Sequence, residues 1–230
     1  MLIAGIQPTT LVDYPDKVAT LVFTPGCNLR CRFCHNPELV LPEALRNTQL
    51  IPEEHFFTFL YHRKWLLDGV VISGGEPTLQ SDLFAFCVAI KKLGYCIKLD
   101  TNGRDPNLVR QLIDAQLVDY IAMDVKIDFA QRFRLLQTKE KSHPYLETIA
   151  LLLEARIPYE FRTTLIKPYH TADSITSILS LIRWAQCYAL QTFRPIITLD
   201  PTFLWHAFTR AEMLQWKKYA LQFVQSCEVR

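Results

Sequence analysis

The chain has 230 residues, half of them hydrophobic and 21% charged, with a net charge of +2. That composition excludes a disordered chain, and the charge is too small to mark a nucleic-acid or membrane surface. No uncharged apolar run reaches the ~18 residues of a membrane span: Ser174–Ile182 is stopped by Arg183, and Trp184–Phe193 by Arg194. Asp13, Asp16 and Lys17 stand where the apolar core of a signal peptide would lie, so the chain is expected in the cytoplasm, where thiols stay reduced. The seven cysteines are then metal ligands, redox groups or core residues rather than a disulfide framework. The length fits one domain spanning 1–230 better than two.

Val18–Thr24 (VATLVFT) reads as a buried strand, and Glu53–Leu67 as a helix with Pro52 near its first turn. Strand Gly69–Ser73 is followed by helix Asp82–Leu93, and strand Tyr95–Asp100 by helix Pro106–Ala115. Strand Asp119–Asp124 precedes helix Tyr145–Ala155, and strand Tyr159–Leu165 precedes helix Asp173–Ala185. Tyr188–Phe193 reads as a sixth strand, and Thr209 with Glu212 forms a capping box that opens a final helix. This alternation predicts an α/β fold of parallel strands and crossover helices, a partial, open (β/α)6 barrel, with a doubly wound sheet as the alternative. In either case chemistry belongs at the C-terminal ends of the strands.

Directly after the first of these strands comes Pro25-Gly26-Cys27-Asn28-Leu29-Arg30-Cys31-Arg32-Phe33-Cys34-His35-Asn36-Pro37. Its three thiols, spaced C-x3-C-x2-C, can wrap one metal centre. An iron–sulfur cluster normally takes four cysteines, so three would leave one iron open. Other readings are a c-type haem site at Cys31-x-x-Cys34-His35, a structural zinc knuckle, or buried thiols. Cys87, Cys96, Cys187 and Cys227 have no ligand spacing.

The next strand ends in Ser73-Gly74-Gly75-Glu76-Pro77, where bare backbone admits a ligand and Glu76 offers a carboxylate to an ammonium group, or where a tight turn carries a solvated Glu. Asp100-Thr101-Asn102-Gly103 and Met123-Asp124-Val125-Lys126 end the following two strands. Asp100 and Asp124 are turn or capping residues, or else they form with Lys126 a polar floor for a ribose, a carboxylate or a cation. Arg162 sits within an apolar strand, paired or at an edge in water. His170 and His206 are expected in loops without ligand roles.

The cysteine loop resembles that of the radical S-adenosylmethionine superfamily. Its extension through His35-Asn36-Pro37 resembles the glycyl-radical-enzyme activating branch, and the chain from about Gly5 to the final helix is most similar to the longer anaerobic ribonucleoside-triphosphate reductase activating proteins. The resemblance implies that Cys27, Cys31 and Cys34 hold a [4Fe–4S] cluster. It implies S-adenosylmethionine contacts at Phe33, Gly74, Gly75, Glu76, Asp100, Thr101, Asp124, Lys126 and Arg162. It further implies a monovalent cation at the Asp-Thr and Asp-x-Lys segments, and Asp13 (or Asp16) near a substrate peptide. The implied reaction is one-electron cleavage of the sulfonium, then removal of a hydrogen atom from a glycine Cα. The implied partners are a large glycyl radical enzyme, reached through a lateral opening of the barrel, and a reduced flavodoxin or ferredoxin-type donor. Neither membrane nor nucleic acid is implied. Near the sixth strand, Gln191 and Arg194-Pro195 stand where the pyruvate formate-lyase activator has Pro-Tyr-His, and Ile196 and Ile197 follow the proline instead. That departure leans away from pyruvate formate-lyase as partner. A haem or iron–sulfur electron carrier, the alternative class, has no use for Gly-Gly-Glu, Lys126 or Arg162.

Overall fold

A hairpin opens the chain. β1 (Gly5–Thr10) runs antiparallel to β2 (Ala19–Thr24), with Gly5 opposite Phe23 and Gln7 opposite Leu21. β1 is absent from the sequence expectation because Gln7, Pro8 and Thr9 lack the β-branched run that marks a strand. This computed structural model describes residues 1–128, 135–137, 143–194, 198–200, 202 and 205–230. They divide into two units: Met1–Asn28 with Asn36–Ile121, and Leu29–His35 with Ala122–Arg230.

In the first unit the strand order is β1-β2-β3-β4, with β3 at Gly69–Gly74 and β4 at Cys96–Thr101. β2, β3 and β4 are mutually parallel, and Thr24 lies level with Gly74. Helix α1 (Glu53–His62) links β2 to β3, α2 (Leu83–Lys92) links β3 to β4, and α3 (Pro106–Asp114) follows β4. α2 buries Leu83, Phe86, Cys87 and Ile90, the i, i+3, i+4, i+7 stripe of a helix on a sheet. α3 has Pro106 in its first turn, and the Asp105 side chain accepts from Leu108 N–H. Val70, Val71, Ile72, Ile97 and Leu99 are fully buried, so these strands are covered on both faces. α1 stops five residues short of the expected Leu67. Arg63–Leu66 form turns, and Trp65 and Leu66 stand in solvent rather than extending the apolar face.

β5 (Tyr120–Asp124) gives its first two residues to the first unit and its last three to the second. In the second unit β6 (Tyr159–Lys167) is parallel to β7 (Tyr188–Thr192), which is parallel to β9 (Cys227–Val229). β8 (His206–Ala207) pairs antiparallel with the end of β6, so His206 lies on a short strand rather than in the expected loop. The helices are α4 (His143–Glu154), α5 (Ala172–Leu181) and α6 (Arg210–Ala220). α6 opens with the expected capping box between Thr209 and Glu212. All six expected strands are present as β2 to β7, and the α/β architecture of parallel strands with crossover helices holds in both units. Cys87 and Cys227 are buried, and Cys96 and Cys187 are half-buried. No helix among the described residues is long and apolar enough to cross a membrane.

Candidate active site

Parallel strands put their C-terminal ends level, and in the first unit those ends meet the start of the cysteine loop. Gly75 N–H donates to the Thr24 carbonyl (2.9 Å), Glu76 N–H to the Gly26 carbonyl (2.8 Å) and Gly26 N–H to the Leu39 carbonyl (2.7 Å). Gln80 Nε2 donates to the Pro25 carbonyl at 2.9 Å. A Cβ on Gly75 would overlap the Gly26 carbonyl, and one on Gly74, at φ +125°, would overlap the main chain of Thr24. The two glycines are therefore what lets β3 lie against the base of the cysteine loop.

Glu76 is 1% exposed. Its Oε1 accepts from Thr78 N–H (3.1 Å), Thr78 Oγ1 (2.7 Å) and Thr101 Oγ1 (2.7 Å), and its Oε2 from Asn102 N–H (2.6 Å). Burial raises its pKa in spite of these donors. The carboxylate expected beside an ammonium thus also ties the end of β4 to the turn after β3. Thr101 is buried in that bond and accepts from Gly103 N–H. Asn102 reaches the loop itself, donating from Nδ2 to Asn28 Oδ1 at 2.8 Å, with Cys27 Sγ at 4.0 Å. One pleat back along β4, Asp100 is bound by the buried Lys98, whose Nζ lies 2.6 Å from Oδ1. Asp13, half-buried in the turn after β1, accepts from the Thr10 hydroxyl.

The rest of the cysteine loop packs within the second unit. Arg30 and Arg32 N–H donate to the carbonyls of Leu136 and Leu135 (both 3.1 Å), and Leu199 N–H to the Cys34 carbonyl (3.0 Å). Arg32 Nε donates to Asp200 Oδ2 at 2.8 Å. Phe33 is 7% exposed, and its ring meets Trp205 edge-on at 6.4 Å. Cys34 N–H donates to the Cys31 carbonyl (2.9 Å), a tight turn that sets these two residues side by side.

At the end of β5, Asp124 accepts from Arg162 Nε through Oδ1 and from Lys126 Nζ through Oδ2, each at 2.8 Å. Burial alone would raise its pKa, but the Arg162 and Lys126 charges outweigh it and hold the carboxyl at about 2. So Arg162 is paired, not an edge residue in water. Thr163 Oγ1 donates to the Val125 carbonyl (2.6 Å) and accepts from Tyr188 OH (2.8 Å). His170 is 2% exposed. Its Nδ1 accepts from Ile166 N–H and its Nε2 donates to the Lys126 carbonyl, both at 3.0 Å. Burial lowers its pKa, so it is neutral at pH 7. Gln191 Oε1 accepts from Thr164 Oγ1 at 3.2 Å. Pro195, Ile196 and Ile197 lie outside the described residues.

The sequence model of the Radical SAM superfamily matches residues 21–182, across both units. This chain belongs to the radical S-adenosylmethionine superfamily. Its relatives agree with that membership. A Methanocaldococcus jannaschii protein named as a glycyl-radical enzyme activating enzyme is 33% identical over 88% of this chain and 84% of its own length. A pyruvate formate-lyase-activating enzyme of Listeria monocytogenes is 31% identical over 74% of this chain and 70% of its own. Among solved structures, Streptococcus suis SuiB superposes with a TM-score of 0.69 at 16% identity, covering 91% of this chain and 49% of SuiB. The shared fold is the α/β radical S-adenosylmethionine architecture. The haem, zinc and electron-carrier readings of the cysteine loop give way to an enzyme of this superfamily.

Radical S-adenosylmethionine enzymes use a [4Fe–4S] cluster and S-adenosylmethionine. The donor chemistry here fits: three thiols within eight residues, in a loop whose base is clamped by Gly75. Among the described residues no three Cys, His, Asp or Glu side chains are gathered as a metal-ligand group, so the fit rests on donor type and loop anchoring. Three residues to which the sequence expectation assigns no site role support the site: Lys98 on Asp100, Asn102 on Asn28 and Glu76, and His170, expected only in a loop, on Lys126. A lysine in the apolar run Cys96–Leu99 was the one visible signal, since a charge there must find a partner.

Proposed function

We propose that this chain is a glycyl-radical-enzyme activating enzyme, a single radical S-adenosylmethionine domain over 1–230. The observation that carries the reading is the cysteine loop seated on Gly74-Gly75-Glu76, in a chain aligned along most of its length with an activating enzyme. Cys27, Cys31 and Cys34 hold the cluster as thiolates. The main chain of Gly74 and Gly75, with Glu76 behind it, receives the amino group of S-adenosylmethionine, and Arg162 its carboxylate. Phe33, Asp100, Thr101, Asp124 and Lys126 serve the adenosine end, and Asp13 the substrate peptide. Bound together, the cluster and S-adenosylmethionine supply reductive cleavage of the sulfonium and, through it, abstraction of a hydrogen atom from glycine. The residues' own work is placement: Thr163 and His170 hold the Val125 and Lys126 carbonyls and so orient the Asp124–Lys126 main chain at the end of β5.

Anaerobic ribonucleoside-triphosphate reductase is the partner we assign, because Ile196 and Ile197 follow Pro195 where pyruvate formate-lyase activators have Tyr-His, so the histidine of that segment is absent. The Listeria relative favours pyruvate formate-lyase instead. A reduced flavodoxin or ferredoxin-type protein is the proposed donor. The test is electron paramagnetic resonance on anaerobically reconstituted, reduced protein. A [4Fe–4S]+ signal that changes when S-adenosylmethionine is added is expected, and an indifferent signal overturns the cofactor reading. Mixing with each candidate partner should then give a glycine-centred doublet on the reductase. A doublet on pyruvate formate-lyase alone reassigns the partner, and none on either overturns both assignments and turns the search to another glycyl radical enzyme, the remaining alternative.

A further inference from the structure

Asn102 directly follows β4 and is 5% exposed, so both hydrogens of its side-chain amide need acceptors within the protein. The residue is held at three points. Its main-chain N–H donates to Glu76 Oε2 at 2.6 Å, and its Oδ1 accepts from Arg104 N–H at 3.2 Å. The Oδ1 contact decides which way the amide is turned, and Nδ2 faces the cysteine loop. There Nδ2 donates one hydrogen to Asn28 Oδ1 at 2.8 Å, and Cys27 Sγ, 4.0 Å away, stands as the acceptor for the other. Nδ2 has no further partner among the described residues. Asn102, Asn28 and Cys27 all belong to the first unit.

An N–H aimed at a thiol gains a second role once the sulfur ligates iron. Taking up one electron makes an iron–sulfur cluster more negative, and a hydrogen bond to a ligand sulfur stabilises the added charge, which raises the reduction potential. Burial strengthens such a bond, because water does not compete for either end.

We propose that Asn102 raises the reduction potential of the cluster by donating its amide N–H to Cys27. It acts through that cysteine and is a positioning residue. The inference rests on the cofactor reading above. The electron comes from the flavodoxin or ferredoxin-type donor proposed there, and no bond of Asn102 is made or broken in the transfer.

The test is a redox titration of the anaerobically reconstituted protein, followed by electron paramagnetic resonance, with no S-adenosylmethionine present. Asn102→Ala should have a more negative midpoint, its equilibrium constant for taking up an electron falling about threefold or more. Asn28→Ala loses the same contact with the loop but keeps the N–H on sulfur, so its midpoint should match wild type. An unchanged midpoint in Asn102→Ala overturns the proposal. So does an Asn28→Ala midpoint that falls equally far, since loop placement would then explain both. Asparagine labelled with 15N in its side chain gives a readout on the intact wild type. Pulsed electron paramagnetic resonance of the reduced cluster should show a weak nitrogen coupling that Asn102→Asp, of the same shape but without the N–H, lacks. No coupling in the wild type, or one kept in Asn102→Asp, overturns the assignment even where Asn102→Ala fails to take up iron. A wild type that assembles no cluster condemns the cofactor reading itself, whereas a cluster indifferent to Asn102 condemns this inference alone.

Discussion

Asp124 lies between two cations, and its titration should reveal them. The carboxyl is held at about 2 against an ordinary 3.8, so the unfolded chain takes up the proton first. The stabilisation is complete above pH 4 and is lost as pH falls toward 2; it amounts to about 2 kcal/mol, of which about 1 is gone by pH 3. Urea unfolding at pH 5 and pH 3 should show wild type losing that extra increment relative to Asp124→Asn, and equal losses would contradict the pairing. Glu76→Gln replaces an acceptor facing four donors with an amide that has N–H groups of its own. A loss of about 2 kcal/mol in thermal unfolding is expected, and an unchanged midpoint would mean the carboxylate is not spent on Thr78, Thr101 and Asn102. The residue types at the strand ends were legible because Gly-Gly-Glu, Asp-Thr and Asp-x-Lys are local patterns. Their partners were not: Glu76 meets Thr101 and Asn102 across two strands, and His170 meets Lys126 over 44 positions.

Among the elements, the segment after β3 is defined by what it cannot carry. Gly75→Ala puts a methyl into the Gly26 carbonyl, and backbone rather than a flexible side chain must yield. We expect a loss of about 3 kcal/mol, read by thermal unfolding, together with poor iron uptake on reconstitution; normal stability and iron content would show that the loop base is not clamped there. β2 to β7 were legible from apolar runs bounded by turn residues. β1, β8 and β9 were not, because their pairing to β2, β6 and β7 makes them strands while their sequences carry little β preference. α1 shows the reverse error, since Trp65 and Leu66 continue an apolar pattern in a stretch that leaves the helix.

At the scale of the whole chain, the alternation of strand and helix announced the fold class, but the division into two units left no mark on composition. The cysteine loop reads as one motif, yet Cys27 packs with the first unit while Cys31 and Cys34 pack with the second. That partition comes from main-chain bonds of Arg30 and Arg32 to Leu136 and Leu135, about a hundred positions away in sequence, which no local pattern signals. In the second unit the last strand is fastened by Arg230, whose guanidinium grips the fully buried Glu160 at 2.8 Å and 3.0 Å. Arg230→Ala strands that anion and should cost roughly 3 kcal/mol, measured by denaturant unfolding; a loss within error would show that Glu160 finds other compensation.

The anchoring of the cysteine loop also has a practical side. Its base is held by peptide N–H groups, carbonyls and bare α-carbons, none of which changes with oxygen or with the state of the thiols. Protein purified on the open bench, colourless and stripped of iron, should keep the circular dichroism spectrum of anaerobically loaded protein and regain its brown colour once thiols are reduced and iron and sulfide returned. Bleached protein whose spectrum has collapsed, or that takes iron back only after full refolding, would show that the loop depends on its cargo for its shape.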